Sequence, residues 1–384
     1  MAPQMIYLDH AAATPLDERV LDAMKPYFTD QFYNPSSPYQ QALEVRRAYE
    51  DAKGRIAHCI GAKGDELVMT AGATESINLA FSGVSGHVVT SNIEHDAVLH
   101  AAARHNHTLV KSDERGRVVA DHVASALQPD TQLVSIQLAN NELGTIQPLR
   151  DIAACIRAER NRRLEAGDTT PLYFHTDASQ GIGYLDVNVA RLGVDLLTIN
   201  SAKIYGPKQV GLLWTARSVR LEPQIVGGGQ EGGMRSGTEN VAGTIGFARA
   251  MELVTATQKS ESKRVTALRD TAEKTLVTAF PHAIVSGHKK HRLPNFLHFS
   301  FPGIDAERLV FGLETKGVLV ATGSACAANK GTRSHVLTAI GLAPDVADGS
   351  LRLSFGHLST EENTTRAIEL IIETVQAEQE RLRR

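Results

Sequence analysis

Cysteine is scarce in this chain, with 3 among 384 residues. Cys59, Cys155 and Cys326 are an odd, widely spaced set with no Cys-x-x-Cys pair. That excludes a disulfide framework and argues against a cysteine-held metal; no metal ligand set is expected. The thiols are expected to be reduced and the protein cytoplasmic. Long apolar runs are missing too: none approaches the ~18 residues of a membrane span. The opening Met1-Ala2-Pro3-Gln4 has no basic region followed by an apolar core, so no secretory signal is expected. Charge of one sign is also lacking. Forty Lys+Arg face 43 Asp+Glu, a net −3, so there is no bulk basic field for direct nucleic-acid binding. A local basic patch stays open. What is present is ordinary globular material, 42% apolar and 22% charged, without repeats or low-complexity tracts. At roughly 150 residues per domain, the length suggests two or three domains.

Short apolar runs alternate with longer helical patterns. A long amphipathic helix is predicted over 39–60, closed by Gly61. Strands are predicted over 66–70, 87–90, 133–137, 172–175, 196–199 and 211–214. Helices over 75–81, 96–104 and 149–166 fall between them. This alternation argues an α/β fold with a mainly parallel sheet. A helical stretch over 241–280, charged in its second half, bridges into a smaller α+β region. That region holds strand patterns at 297–300, 317–320 and 351–354. A polar helix over 361–384 closes the chain, its basic end suiting a helix C-terminus. The expected partition is 15–255 for the large domain and 1–14 plus 256–384 for the small one.

Ligands in open α/β sheets sit beyond the carboxyl ends of the strands. Six segments place polar groups there. Thr70-Ala71-Gly72-Ala73-Thr74-Glu75-Ser76 is a small-residue turn opening a helix, either an anion cradle or a helix capped by Thr74. His95 follows the next strand, as a proton carrier, a stacking partner or a loop histidine. Asn140-Asn141-Glu142 would bind a polar ligand or form a turn. Asp177 ends an apolar strand, where a carboxylate must cap a helix or hold a cation. Lys203, between two apolar strands, is an amine nucleophile or an exposed loop lysine. Cys326 sits in a small-residue loop, which suggests a working thiol, whereas Cys59 and Cys155 fall on helices. In this order the segments match a lysine that binds pyridoxal phosphate covalently, with an aspartate for the pyridinium nitrogen.

The chain resembles the cysteine desulfurases of the NifS/IscS type, in the class V aminotransferase family of pyridoxal phosphate enzymes. The resemblance runs nearly end to end. It rests on Tyr7-Leu8-Asp9-His10-Ala11-Ala12-Ala13-Thr14-Pro15, Asn34-Pro35-Ser36-Ser37, Gly72-Ala73-Thr74-Glu75-Ser76, Glu94-His95 and Asn140-Asn141-Glu142-Leu143-Gly144. It continues through Asp177-Ala178-Ser179-Gln180, Lys203-Ile204-Tyr205-Gly206-Pro207-Lys208, Gly227-Gly228-Gly229-Gln230-Glu231 and Arg235-Ser236-Gly237-Thr238-Glu239-Asn240. Gly323-Ser324-Ala325-Cys326 and Arg352-Leu353-Ser354-Phe355-Gly356 complete it. The resemblance implies fold type I of the PLP-dependent transferases, with a large mainly parallel-sheet α/β domain and a smaller α+β domain. It implies pyridoxal 5'-phosphate held covalently by Lys203, with Asp177 on the ring nitrogen and Gln180 on the ring hydroxyl. His95 would stack on the ring and move protons. Ala73, Thr74 and Asn200 would meet the phosphate, joined by Thr238 from the other subunit of a homodimer. Arg352 would clamp the carboxylate of L-cysteine, with Asn141 nearby. The implied reaction yields alanine and a Cys326 persulfide, which a mobile loop carries to an acceptor or scaffold protein for iron–sulfur assembly or tRNA thiolation.

The chain departs from the family pattern around the lysine. A histidine usually precedes it, and a serine usually stands three positions before it; here these are Ala202 and Asn200. Losing a hydrogen bond to a charged group costs about 1.5–3 kcal/mol, so weaker cofactor retention is expected. Gly232 replaces a basic residue, and Tyr39 a frequent histidine. The alternatives are a selenocysteine lyase, another enzyme of the same fold, or a weakly active scaffold. Residues 377–384 are either a docking element for the acceptor or a solvated helix end.

Overall fold

The computed structural model describes residues 5–322 and 333–383. Cys326 therefore lies outside the described residues. The strands, numbered along the chain, are β1 (Ile6–Tyr7), β2 (Leu67–Thr70), β3 (His87–Ser91), β4 (His107–Val110), β5 (Thr131–Ser135) and β6 (Tyr173–Asp177). They continue with β7 (Leu196–Asn200), β8 (Gly211–Thr215), β9 (Ile284–Ser286), β10 (Phe296–Ser300), β11 (Val318–Leu319) and β12 (Ser350–Ser354).

Seven strands form the main sheet in the order β2-β8-β7-β6-β5-β3-β4. β3 to β7 run parallel, and β8 lies antiparallel to both β7 and β2. The apolar runs are continuous because this sheet is covered on both faces. Phe174, Leu197 and Val134 point into one core, and Leu133, Leu196 and Val88 into another. The Gln40–Ile60 helix packs Val45, Tyr49, Ala52, Ile56 and Ile60 on the first of these, a helical spacing of three and four. It ends where Gly61 turns left-handed, at φ 72°.

Several elements escaped the sequence reading, among them the Ala306–Thr315 helix, β4 and the Ala120–Ala126 helix. β4 is an edge strand, bonded among the described residues only to β3, and half exposed, so its apolar signal is diluted. The Ala120–Ala126 helix buries Val123 alone within it. The strand predicted over 133–137 is shifted, ending at Ser135, which leaves Gln137 in the following loop. The strand predicted over 317–320 shrinks to Val318–Leu319.

Val241–Ala279 is one helix of 39 residues. Phe247, Met251 and Val254 on it belong to the main core, while Val265, Leu268 and Leu276 belong to a second core. That second core lies under the antiparallel sheet β12-β10-β9, through Leu297, Phe299, Leu351 and Leu353. The N-terminus joins this part: β1 pairs with β11, and Asp9 bridges Ser354.

The backbone of Gly211 on β8 passes close beneath the turn after β2. A Cβ there would stand 2.7 Å from Gly72 Cα and 2.9 Å from Ile199 O, both main-chain atoms that cannot swing aside. Gly211→Ala is therefore expected to destabilise the protein by about 1–3 kcal/mol through overpacking. Urea unfolding monitored at Trp214, on the same strand, measures this.

Candidate active site

Parallel strands release their following loops at one edge of the sheet. β2 ends there too, because two antiparallel pairings return it to the direction of β7. A cleft of about 280 Å³ opens at this edge. Ala73 and Thr74 reach it from the turn after β2, His95 from the loop after β3, and Asn141 from the loop after β5. Asp177 and Gln180 come from the end of β6, Asn200 and Lys203 from the end of β7, and Arg352 from β12 of the second sheet. The structure thus brings together nine of the residues singled out in the sequence. Thr238 is placed elsewhere. It lines a separate pocket of about 210 Å³ with Thr70 and Ala71, on its own chain.

The Ala73–Ser82 helix starts at the cleft. Its cap is Gly72, not Thr74, and among the described residues no side chain caps its opening N–H groups. Gly72 stands at φ 132°, a conformation suited to glycine. Glu75 takes the preceding Ala71 N–H at 2.9 Å and pairs with Arg235 at 2.8 Å, which leaves the opening of the helix facing the cleft. Uncapped N–H groups at a helix start form an anion site.

Lys203 Nζ donates to Ala11 O at 2.8 Å and to Ala12 O at 2.7 Å. The Asn200 side chain caps the short turn that carries the lysine, accepting from Ala202 N at 3.1 Å. This commits Oδ1 and leaves the amide N–H₂ as the donor end. Tyr205, two residues on, is held at φ 63°, unusual for a tyrosine. Its ring stacks on His357 at 3.8 Å, and its hydroxyl accepts from His357 N at 2.8 Å. Asp177 Oδ1 accepts from Ser179 N at 2.9 Å; it makes a turn and caps no helix. Arg352 donates to Asn141 O at 2.9 Å and pairs with Asp9 at 2.6 Å. Asn141 Oδ1 is buried with no hydrogen-bond partner among the described residues.

His95 caps the Asp96–Ala102 helix, its Nδ1 accepting from Ala97 N at 3.1 Å. A ring nitrogen that accepts carries no proton, so the proton of the neutral ring resides on Nε2. Beneath the cleft the polar groups are deeply buried. Glu94 accepts from Ser91 Oγ at 2.6 Å and from Gln137 N at 3.1 Å. Burial pushes its carboxyl up to about 8, and Asp177 adds to the rise. Burial also raises Glu142, against the opposing pull of Ser334, His335 and Arg352. His175 bridges Ser135 and Thr198 and is pushed down to about 4 by burial.

The aminotransferase class-V family profile matches residues 6–367. The chain belongs to the aminotransferase class-V family. Its family relatives include the cysteine desulfurase IscS of Dictyoglomus turgidum, 40% identical over 383 residues covering 96% of this chain and 94% of that one. Among solved structures, a NifS-like protein matches with TM-score 0.88 at 32% identity, covering 97% of this chain and all of the other. SspA in complex with cysteine matches with TM-score 0.76 at 33% identity, over 91% of this chain and 98% of that one. The fold expected from the sequence is the fold of this family.

The sequence reading missed several groups that the family fold brings to the cleft. The carbonyls of Ala11 and Ala12 carry no side-chain signal at all. Asp9 lay within a quoted motif but had no role. His335 also lines the cleft and belonged to no pattern.

The Glu94 carboxyl titrates near 4.3 when unfolded and about 8 when folded. Across that interval the folded protein holds a proton that the unfolded chain has lost. This group's stabilising contribution is therefore complete below about pH 4 and falls as pH rises toward 8. Glu94→Gln, neutral throughout, removes the trend. The melting temperature of wild type relative to Glu94→Gln is expected to fall between pH 5 and pH 8, as followed by calorimetry.

Proposed function

We propose that the protein is a cysteine desulfurase that uses pyridoxal 5'-phosphate to take sulfur from L-cysteine, leaving L-alanine. The observation that carries this reading is the convergence of the Lys203 amine, the Asp177 carboxylate and the Arg352 guanidinium in one cleft. The cofactor's groups fit what the cleft offers. The uncapped helix start at Ala73 and Thr74 suits a phosphate, the amine suits an aldehyde, and Asp177 suits a protonated pyridine nitrogen. Asn141, with its orphaned Oδ1, and Gln180 are polar groups at hand for the ring and substrate.

Pyridoxal phosphate, when bound, supplies an electron sink for charge developing at the substrate Cα. Lys203 would hold it and, once released, remove and return the α-proton. His95, with Nε2–H as its donor end, would stack on the ring and pass protons. Arg352 would clamp the substrate carboxylate through its planar fork. Cys326, outside the described residues, would attack the substrate sulfur as a thiolate. The sulfur–carbon bond then breaks, its electron pair goes to the carbon, and a proton completes alanine. The sulfur remains on Cys326 as a persulfide for an acceptor or scaffold protein, in iron–sulfur assembly or tRNA thiolation. The sparse, widely spaced cysteines support a cytoplasmic setting.

A homodimer belongs to this reading. Phe28, Phe32 and Val226 are 61, 66 and 76% exposed, a large apolar outlay for a lone chain. Phe32 stacks on Tyr33, and both line a pocket that also includes Thr238. A second copy seated on this face would cover the aromatics and lie beside Thr238, the residue proposed to reach the partner's phosphate site.

The holoprotein given L-cysteine and a thiol reductant is expected to release sulfide and alanine in equal amounts. Cys326→Ala and Lys203→Ala should each abolish this; turnover confined to selenocysteine would overturn the reading. Light scattering should show a dimer for wild type and a monomer for Phe32→Asp, with cofactor affinity reduced in the monomer.

A further inference from the structure

His335 begins the His335–Ala339 helix and lines the cleft. Its Nε2 lies 2.9 Å from the carbonyl oxygen of Glu94. A carbonyl only accepts, so Nε2 carries the proton and donates. Its Nδ1 lies 3.8 Å from Asp96 Oδ1. The imidazole therefore bonds the residue before His95 and stands beside the residue after it. Next to it, Ser334 Oγ donates to the buried Glu142 carboxylate at 2.6 Å. Two consecutive residues thus fasten the loop after β3 and the loop after β5, from 241 and 192 positions along the chain.

We infer that His335 is a positioning residue that aims His95 by pinning the Glu94–His95 peptide unit. The rest of the His95 segment is held from the large sheet. Ile93 O accepts from Gln137 Nε2 at 2.7 Å and from Asn140 Nδ2 at 2.9 Å. The Glu94 carboxyl is held by Ser91 and Gln137. Those bonds fix the chain up to residue 94. The plane of the next peptide sets the direction in which His95 leaves the backbone, and His335 holds its carbonyl. His335 is not placed to exchange protons with a substrate itself, because Nε2–H is engaged and Nδ1 faces Asp96. This inference deepens the proposed function, since it rests on His95 acting on bound substrate.

The side-chain geometry supplies the test. A glutamine amide can donate from nearly the place of Nε2, whereas an asparagine amide is too short. His335→Gln should retain kcat within about threefold. His335→Asn and His335→Ala should lose about tenfold in kcat, the scale of one hydrogen bond, with KM for L-cysteine changed less than about twofold. The double variant His335→Ala/His95→Ala should be no slower than His95→Ala alone, because one acts through the other. Hydrogen exchange on the cofactor-free protein reads the same coupling without turnover. The amides of residues 95–98 should exchange faster in His335→Ala and His335→Asn, and as in wild type in His335→Gln. Equal behaviour of all three variants, or additive losses in the double variant, would overturn the inference. Wild-type turnover in His95→Ala would overturn the reading of His95 instead, while the exchange rates would still decide whether His335 holds the segment.

Discussion

A lysine amine at the tip of an apolar strand needs acceptors, because burying an ammonium without them is prohibitive. Here they are the carbonyls of Ala11 and Ala12, and much of the site follows from where that short segment runs. The segment is anchored on the second sheet. Ala11 N donates to Ser354 Oγ at 2.9 Å, and His10 Nδ1 lies 3.0 Å from Ser354 O. Asp9, three residues before Ala12, pairs with Arg352 two residues before Ser354 on β12. Four consecutive residues thus set the distance between an amine carried by the large sheet and a guanidinium carried by the small one. The backbone itself spans that gap, so the spacing is short.

The floor beneath these groups is polar and dry. Glu94, Glu142 and His175 are buried almost completely, yet each has hydrogen-bond partners on its polar atoms. Satisfied networks of this kind rigidify their surroundings, and unsatisfied ones would destabilise them. Burial raises the acids and lowers His175. The two carboxyls therefore hold their protons to a higher pH than exposed ones, beneath a cleft where Asp177, Lys203 and Arg352 meet. Asn141 Oδ1, without a hydrogen-bond partner among the described residues, belongs to the same residue as the carbonyl that accepts from Arg352.

Much of this was legible in the residues. The apolar runs at 196–199 and 211–214 and the helix closed by Gly61 announce themselves through local rules: side-chain period, β-branching and the left-handed glycine. The polar segments after the strands were legible for the same reason, since a parallel sheet sends its strand ends to one edge. Where the local signal was weak, the reading slipped. β4 is a half-exposed edge strand. Thr74 looked like a cap, but Gly72, with φ 132°, takes that place and leaves the helix start open.

The sequence by itself determined most of the main-sheet strands and the long helices, and which segments carry an amine, a carboxylate, an imidazole or a guanidinium. Tertiary structure alone decided that Ala11 and Ala12 cradle Lys203, that Asp9 reaches Arg352, and that His335 reaches the carbonyl before His95. The physical reason is the range over which each kind of information acts. Periodicity reports the face a residue turns toward its immediate layer. Bonds between residues 191 to 343 positions apart depend on strand order and on how two sheets dock, and carbonyl groups leave no mark in the side-chain pattern.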